Sequence, residues 1–412
     1  MNHKKHIRYW MLSLGCWLIS INIQAQDLNT YIQTALENNP DIQAFELRYN
    51  IAEEKTNESG TLPNTQFGAG YFVSEPETRT GPQRFKLSVK QMLPWFGTIT
   101  ARENYASSLA DTEYAEIAVA KRKLALSVSQ SYYKLYTLQA KQAVLEEQLE
   151  LIEQYEQLAL TGVETGKTST VKVFQLQIRE NELEKRQKIL EQEFLSEQTT
   201  FNSLLNRATK TEVVVANNLD IPDNEQEALS DSLEAHPELL KYDAMYDAVV
   251  QSETLNQKGG GPDLGIGLDY INVAERTDMD FNDNGKDILM PMVSLSIPIF
   301  NKSIRSKTKQ NELKQQEITA QKQSRTNQLN SYLDTAINNK VAAKIDYETQ
   351  LKNIEQAKNA EEILIRNFET KTLDFNDVLD ILELQLNFHL SKIEAIKTYY
   401  SQIAIINYIT NR

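Results

Sequence analysis

The sequence predicts a mixed α and β fold that is mostly α, built from long coiled-coil hairpins and four β-strands. Three features of the 412 residues indicate this fold. Two stretches of more than sixty residues contain no interior helix breaker, four segments of about ten residues alternate apolar and polar side chains, and the same order of elements occurs twice. The hydrophobic content of 41% is modest, as expected where each helix buries only a narrow stripe.

Residues 1–25 are predicted to be a signal peptide that is cleaved before Gln26. A basic start precedes an apolar stretch at residues 9–23, which is too short to span a bilayer, and Ala25 is a small residue suited to the cleavage site. Processing changes the net charge from −14 to −17, because three basic residues leave with this segment. The sequence therefore predicts an exported protein.

The one cysteine, Cys16, leaves with the signal peptide, so the mature chain is expected to contain no disulfide. An alternative is a lipid anchor on Cys16, which follows Gly15. Lipoprotein signals usually carry leucine three residues before the cysteine, and Ser13 stands there instead. The discarded cysteine is therefore the favoured interpretation.

The rest of the chain repeats one plan, with residues 26–235 as the first structural repeat and residues 236–412 as the second. Each repeat reads as a short helix, two strands, a very long helix, a turn and a further long helix. The corresponding motifs are Asn39-Pro40 with His236-Pro237, Gly68 and Gly70 with Gly265 and Gly267, Pro94-Trp95-Phe96 with Pro298-Ile299-Phe300, and Glu164-Thr165 with Glu369-Thr370. A duplication of this size indicates one elongated unit rather than separate globular domains.

Four strands are predicted, at about residues 65–74 and 84–93 in the first repeat and about 263–273 and 287–299 in the second. In the second of them, Phe85, Leu87 and Val89 alternate with Lys86, Ser88 and Lys90. Segments of this length with strict alternation are typical of outer-membrane strands, which are apolar towards lipid and polar towards the lumen. The same pattern also fits an ordinary half-buried hairpin, in which Lys86 and Lys90 face solvent.

Long helices are predicted at residues 97–160 and 171–206, and again at residues 301–368 and 375–410. The first would be roughly 95 Å long at ~1.5 Å per residue. Its heptad seam consists of Leu124, Ser131, Leu138, Leu145, Ile152 and Ala159. The corresponding stripe in the second repeat consists of Leu329, Leu333, Ile337, Val341, Ile345, Leu351 and Ile354.

The shorter helices are expected to stack end to end beside each long one. Residues 40–59 and 171–206 together roughly match the first long helix in length, and residues 237–258 and 375–410 do the same in the second repeat. Residues 207–235 then form an equatorial segment between the repeats.

Four membrane strands would require an oligomer. They cannot close into a barrel, open sheet edges are not tolerated in lipid, and small membrane barrels begin at about eight strands. Several copies must therefore each donate four strands, and the same oligomer would align the long helices into a hollow cylinder.

Nucleic-acid binding is disfavoured because the chain is acidic. His236 and His389 are the two histidines outside the signal peptide, and each is better explained as a structural residue than as a metal ligand. Residues 162–168 resemble a phosphate-binding loop, but three residues separate the glycines instead of four and a helix precedes them instead of a strand. With no catalytic constellation in the sequence, we expect neither an enzyme nor a cofactor.

The order of these motifs resembles the TolC-like outer-membrane efflux protein family. The resemblance rests on the duplicated Asn-Pro and His-Pro helix starts, the Pro-x-Phe strand exits and the turn at residues 369–380, and it extends from Asp27 to Arg412. It implies a homotrimer with a twelve-strand barrel in the outer membrane of a Gram-negative cell. A long α-helical tunnel would hang from this barrel into the periplasm.

The resemblance further implies inward-facing carboxylates that narrow the periplasmic tip, at positions that match Asp377 and Asp380. Because these residues are three apart they share a helix face, and three copies would form acidic rings that favour cations. An alternative is that they simply favour the helix dipole at its N-terminus. Asp374 is a third candidate for the constriction, although it fits a helix cap better.

Two exposed turns are expected to contact a periplasmic adaptor protein. Gly162 and Gly166 belong to the first turn, and Lys371 and Thr372 belong to the second. Lys371 departs from the family pattern, which has glycine there.

The function implied by the resemblance is an outer-membrane exit duct of a tripartite efflux system, which passively conducts substrates received from an inner-membrane pump and its adaptor. Alternatives are a periplasmic adaptor or structural coiled-coil protein, and a duct for type I protein secretion. An adaptor would carry one helical hairpin beside a compact β-rich body, whereas this sequence has two hairpins, each with its own strand pair. The sequence leaves the cargo open among heavy metals, drugs and proteins.

Overall fold

The computed structural model describes residues 28–166, 168–223, 233–278, 282–300, 302–369 and 375–410. The predicted signal peptide with Cys16 lies outside these residues. So do Asp374 and the adaptor-contact candidates Lys371 and Thr372.

Seven α-helices and five strands occur within the described part of the chain. In chain order they are α1 (Leu28–Asn38), α2 (Pro40–Ser59), β1 (Gln66–Tyr71), β2 (Glu77–Thr78), β3 (Gly81–Leu93), α3 (Thr98–Glu164), α4 (Thr170–Leu204), α5 (Pro237–Lys258), β4 (Asp263–Val273), β5 (Ile288–Ser296), α6 (Lys302–Glu369) and α7 (Phe375–Thr410). A single 3-10 turn at Leu233–Ala235 precedes α5. The mostly α class with long coiled-coil hairpins and a few strands is therefore confirmed.

The helices form four columns. The first column contains α2 and α4, the second is α3, the third contains α5 and α7, and the fourth is α6. This order follows from the contacts. Helices α2 and α4 contact α3, α3 contacts α5 and α7, and these two contact α6. As the lengths predicted, α2 with 20 residues and α4 with 35 stack beside the 67 residues of α3. The α2/α4 column and the α6 column are therefore the two edges of the chain.

A sheet extends from one end of these columns, with the strand order β1-β3-β4-β5. All neighbours are antiparallel, and their register places apolar residues opposite one another across the sheet, as in Val89 with Phe67 and Leu268. The strands differ from prediction in two ways. β3 begins at Gly81, and the loop before it contains the two-residue strand β2, which pairs with the start of β3.

The two loops at the far end of the sheet are joined at Gly81. Its φ angle is 131°, and a Cβ there would lie 1.8 Å from the Ala274 carbonyl oxygen, so the close approach of the two backbones requires glycine. The amide of Ala274 donates to the carbonyl of Pro82 at 2.8 Å, and that of Gly285 donates to Thr80 at 2.8 Å. The loops that precede β3 and follow β4 are therefore hydrogen-bonded to each other.

The heptad seam of α3 is buried as predicted, from Leu124 to Ala159. In α6 the predicted stripe is buried at Leu329 and Leu333 but is wrong beyond them, since Ile337, Val341 and Ile345 are 42%, 51% and 60% exposed. The seam there consists instead of small or aromatic residues, namely Ala336, Ala343, Tyr347 and Ala357. Alanine lets neighbouring helices approach closely, so the larger side chains of α6 lie on a second face.

Residues 207–223, the longer described part of the equatorial segment, lie across the helical columns and are held by tyrosines. The hydroxyl of Tyr132 accepts from the amide of Ala216 at 3.1 Å, and that of Tyr136 accepts from Leu219 at 3.1 Å. From α7, the hydroxyl of Tyr400 donates to the carbonyl of Asp220 at 2.7 Å. These bonds satisfy the polar backbone of a segment without regular secondary structure where it covers the helices.

None of the helices within the described ranges has an apolar stretch sufficient for membrane crossing.

Candidate functional site

The polar face of the sheet contains an ion pair that the sequence did not reveal. The carboxylate of Asp269 on β4 is fully buried and pairs with the ammonium of Lys86 on β3, while Lys90 lies further along the same face and is exposed. A buried carboxylate requires a counter-ion, which Lys86 supplies. The alternation prediction correctly placed Lys86 and Lys90 on the face opposite the apolar residues, but nothing local indicated which lysine is neutralised.

The opposite face of the sheet is apolar and exposed. Phe67, Tyr71, Leu289 and Val293 are between 65% and 82% exposed. Further aromatic residues follow at the helical end of the strands, where Phe96 is 82% and Phe300 is 90% exposed. An apolar band bordered by aromatic side chains is the pattern that faces lipid and its interface.

In each repeat the first helix of a stacked pair begins beside the end of the second, and we call this place the joint. Helix α2 begins beside the end of α4, and α5 begins beside the end of α7. In the first repeat Asn39 caps α2, since its Oδ1 accepts from the amide of Asp41 at 2.9 Å, while its Nδ2 donates to the carbonyl of Leu204 at the end of α4 at 3.0 Å. In the second repeat Nδ1 of His236 accepts from the amide of Glu238 at 3.2 Å, and Nε2 faces the carbonyl of Tyr408 in α7 at 3.2 Å. The two residues therefore perform the same double task, which explains the Asn-Pro and His-Pro correspondence.

A charged cluster surrounds the second joint. Glu238 is 8% exposed and binds Arg325 of α6 and the hydroxyl of Tyr408, and Lys123 of α3 lies 3.6 Å from its Oε1. Burial alone would raise the pKa of Glu238, but the hydrogen bonds from Arg325 and Tyr408 and the charges of Arg325 and Lys123 outweigh it and lower the pKa to about 2. This cluster ties three helical columns together at the level of the joint.

We expect acidification to weaken the second joint through His236. Burial and the neighbouring Arg122 lower the pKa of this imidazole below its ordinary value of 6.5. The unfolded chain therefore takes up a proton first, so the stability contributed by neutral His236 is complete above about pH 6.5 and is lost as the pH falls below it. The protonated ring would also present an N–H to the amide of Glu238 instead of an acceptor.

The His236→Asn variant should keep the cap, as Asn39 does in the first repeat, and lose less stability between about pH 7 and pH 5 than the unchanged chain. Unfolding followed by circular dichroism at the two pH values measures this. A second variant, His389→Asn, removes the other histidine outside the signal peptide, whose pKa burial also lowers, and so measures how much of the acid-induced loss comes from that residue. An acid-induced loss in His236→Asn equal to that of the unchanged chain would contradict the assignment.

The first turn is shorter than predicted, because α3 continues to Glu164 and includes Gly162 in its last turn. A Cβ at Gly162 would lie 2.5 Å from the Thr168 hydroxyl oxygen, and Gly166 has a φ angle of 66°. Gly166 is therefore favoured by its left-handed backbone, and Gly162 makes room for the side chain of Thr168. The turn residues Thr165 and Gly166 are exposed.

The acidic candidates of the second hairpin lie in the first turns of α7. Asp377 and Asp380 are both exposed, while Val378 and Leu382 between and after them are 2% and 1% exposed and pack into the hairpin core. The two carboxylates therefore share an unpacked face, as their spacing predicted. Their role in a constriction stays a prediction.

Near this end the two hairpins are linked by polar contacts that the sequence did not indicate. Glu361 of α6 accepts from the hydroxyl of Tyr155 at 2.8 Å and from the amide of Gln385 at 2.8 Å. Arg179 of α4 pairs with Glu383 of α7 as well. The two contacts between the hairpins, Tyr155 with Glu361 and Arg179 with Glu383, span 206 and 204 residues, so no local signal could have predicted them.

Among the described residues, no group of three or more His, Cys, Asp or Glu side chains is arranged to hold a metal ion. His389 on α7 is half buried, and burial together with Lys392 lowers its pKa.

A model of the outer membrane efflux protein family matches residues 31–207. No curated protein matches the sequence. Solved structures match the fold over 93% of this chain: the outer membrane protein VceC from Vibrio cholerae has a TM-score of 0.73 at 16% identity with 95% of its chain covered. The CmeC outer membrane channel of Campylobacter jejuni has a TM-score of 0.73 at 13% identity with 85% covered. The open state of the Neisseria gonorrhoeae MtrE outer membrane channel has a TM-score of 0.72 at 14% identity with 88% covered.

Two of these solved structures, CmeC and MtrE, are outer membrane channels, which agrees with the expectation of a channel rather than an enzyme. The family match covers most of the first repeat, and the shared fold extends through the second. The resemblance of the motifs to the TolC-like outer-membrane efflux proteins is confirmed, because residues 31–207 match the outer membrane efflux protein family.

Proposed function

We propose that this protein is the outer-membrane exit duct of a tripartite efflux system and conducts its substrates passively. The observation that carries the proposal is the sheet, whose one face is apolar and exposed, whose other face is polar, and whose strands continue directly into four helical columns. Within the described chain β1 and β5 each pair on one side only, so lipid would require both edges to be covered.

Closure of the sheet into a barrel by three copies would pair the two edge strands that a single chain leaves open. Three sets of four long strands give a twelve-strand barrel, and the helical columns continue it as a tunnel. Apolar residues also occupy both helical edges, with Val171, Phe174 and Ile178 of α4 on one edge and Val341 and Ile345 of α6 on the other, each more than half exposed. Contact between these edges in neighbouring copies would bury both.

The adaptor and the pump belong to this proposal as partners at the helical end. The exposed turn at Gly166 and the predicted contacts Lys371 and Thr372 would meet the adaptor, and the acidic face of Asp377 and Asp380 would surround the route that substrates take from the pump. A duct is passive, so the pump selects the cargo.

Trp95 provides a direct test, because it lies at the helical end of β3 and is the one tryptophan of the chain from Gln26 onward. It is 40% exposed, and its ring packs beside Gly261, where a Cβ would lie 3.1 Å from it. In reconstituted protein, lipids brominated near the headgroup should quench Trp95 fluorescence strongly, and Trp95→Phe should abolish the signal.

A periplasmic adaptor or other coiled-coil protein would leave Trp95 in water. Absence of quenching by brominated lipid together with efficient quenching by aqueous iodide would therefore contradict the outer-membrane duct.

A further inference from the structure

We propose that the α6 edge of one copy pairs with the α2 edge of the next through a charge-matched contact just below the sheet, with Lys302 and Arg305 facing Glu58 and Glu54. The inference rests on the proposed oligomeric duct and identifies what holds its copies together at this level.

The N-terminal part of α6, which lies next to the sheet, has a basic face that points away from the rest of the chain. Lys302, Arg305, Lys309 and Leu313 follow one another at intervals of three or four residues, so they share one side of the helix. The three cationic side chains are exposed and Leu313 is 53% exposed. The other side of α6 contains Asn311, which is 5% exposed and binds Glu253 of α5.

The C-terminal part of α2, which also lies next to the sheet, has an acidic face in which charged and apolar residues are likewise spaced along one side of the helix. Leu47, Ile51, Glu54 and Glu58 also follow at intervals of three or four residues, and Leu47 and Ile51 are 61% and 57% exposed. Ile42, which is 3% exposed, marks the opposite side, where α2 packs on α3. Both edges therefore expose a face with charges nearest the sheet and apolar residues further from it.

The charges on each face are unfavourable to their own helix. Cations at a helix N-terminus and anions at a C-terminus oppose the macrodipole, yet α6 begins with Lys302 and Arg305, and α2 ends with Glu58 in its last turn. Residues 288–311 contain no acidic residue, although the chain as a whole has an excess of them. Charges that weaken their own helices indicate a compensating partner.

The charged and apolar residues of the two faces lie at matching distances from the sheet. Helix α2 ends just before β1 and α6 begins just after β5, so the two helices run antiparallel with their charged ends next to the sheet. Leu47 lies about 18 Å below the end of α2 and Leu313 about 16 Å below the start of α6, at ~1.5 Å per residue. Side by side, the carboxylates would meet the cations and Leu47 would meet Leu313.

Charge reversal tests the pairing. In the detergent-solubilised full-length protein, Glu54→Lys/Glu58→Lys should weaken self-association by at least about tenfold, because like charges then face each other, and Lys302→Glu/Arg305→Glu should do the same. Combining all four changes should restore the oligomer. The trimer fraction is measured by light scattering after size exclusion, and circular dichroism verifies that each variant is folded.

The matched control is Glu146→Lys/Glu150→Lys, an exposed pair with the same spacing on the inner column α3, which should leave association unchanged. Loss of the oligomer in the α6 variant without rescue by the α2 variant would assign the basic face to another ligand, such as anionic lipid, and overturn the pairing. If the oligomer persists in both charge-reversal variants, the proposed pairing is wrong, but the proposed duct is not affected. An unchanged chain that never forms an oligomer would overturn the duct itself.

Discussion

Replacing Arg325 with alanine is expected to lower the free energy of unfolding by about 3 kcal/mol, because it leaves a buried carboxylate without its nearest cation. Glu238 is 8% exposed, and the remaining cation, Lys123, lies 3.6 Å away with a largely exposed side chain. Lys123 and the hydroxyl of Tyr408 recover only part of the loss. The change is measured as a shift of the unfolding transition in detergent at pH 7.

Two further variants separate charge from packing. Arg325→Met/Glu238→Met removes both charges and should be much less destabilising than Arg325→Ala, because no buried ion is left unpaired. Lys185→Ala removes one partner of the exposed pair with Glu182 and should cost about 0.5 kcal/mol or less. If Arg325→Ala is no worse than Lys185→Ala, the cluster at the second joint does not contribute as argued.

The same cluster gives a pH dependence with a definite sign. The pKa of Glu238 is lowered to about 2 in the folded chain, so its ionised form contributes stability above its ordinary value of 4.5. That contribution is lost as the pH falls from about 4.5 towards 2. His236 loses its contribution over a higher pH range, as the pH falls below about 6.5. The second joint should therefore weaken progressively as the pH is lowered.

Periodicity predicted the elements well because helices and strands repeat at fixed intervals that depend on local sequence alone. The seam of α3 from Leu124 to Ala159 and the alternation of β3 around Val89 are examples. Periodicity failed in α6, because the spacing of an apolar stripe does not show whether it packs within the chain or stays exposed on its surface. The spacing of Ile337, Val341 and Ile345 predicts the internal seam there, whereas the structure uses Ala336 and Ala343.

The candidate site was less predictable, since its contacts join residues that only the fold brings together. Arg325 and Glu238 are 87 residues apart, and Glu361 and Tyr155 are 206 apart. The repeat identified Asn39 and His236 as equivalent positions, but their hydrogen bonds to the C-terminal ends of α4 and α7 form only when the columns stack. The lysine that is neutralised by Asp269 could not be chosen from sequence because Lys86 and Lys90 share one face.

The exposed apolar side chains are unevenly distributed. Most of the large ones lie on the outer face of the sheet, at the strand exits, or on the α2/α4 and α6 edges, and the inner columns expose fewer, such as Tyr114 and Leu158 of α3 and Leu240 of α5. Exposed apolar surface of this extent is costly in water. Lipid around the sheet and neighbouring copies beside the edges would remove that cost.

Replacing Asp377 and Asp380 with asparagine is expected to remove most of the cation preference of the reconstituted duct. Both carboxylates are exposed on one side of α7, with Val378 and Leu382 packed on the other, so three copies would place six charges around the helical end of the tunnel. Asparagine keeps the size of each side chain and removes the charge. The reversal potential across a planar bilayer in a salt gradient, measured with single-channel conductance, reports the change.

The effect should be largest at low ionic strength, because salt screens charges that line an aqueous passage within about 10 Å at 0.1 M. Glu362→Gln/Glu383→Gln is a suitable control, since it removes two exposed carboxylates from the same hairpin that are bound by Arg366 and Arg179. Asp377 also lies in the first turn of α7, where its charge favours the helix dipole. If both asparagine substitutions lower only the helix stability and leave the reversal potential unchanged, the carboxylates serve the helix and not the passage.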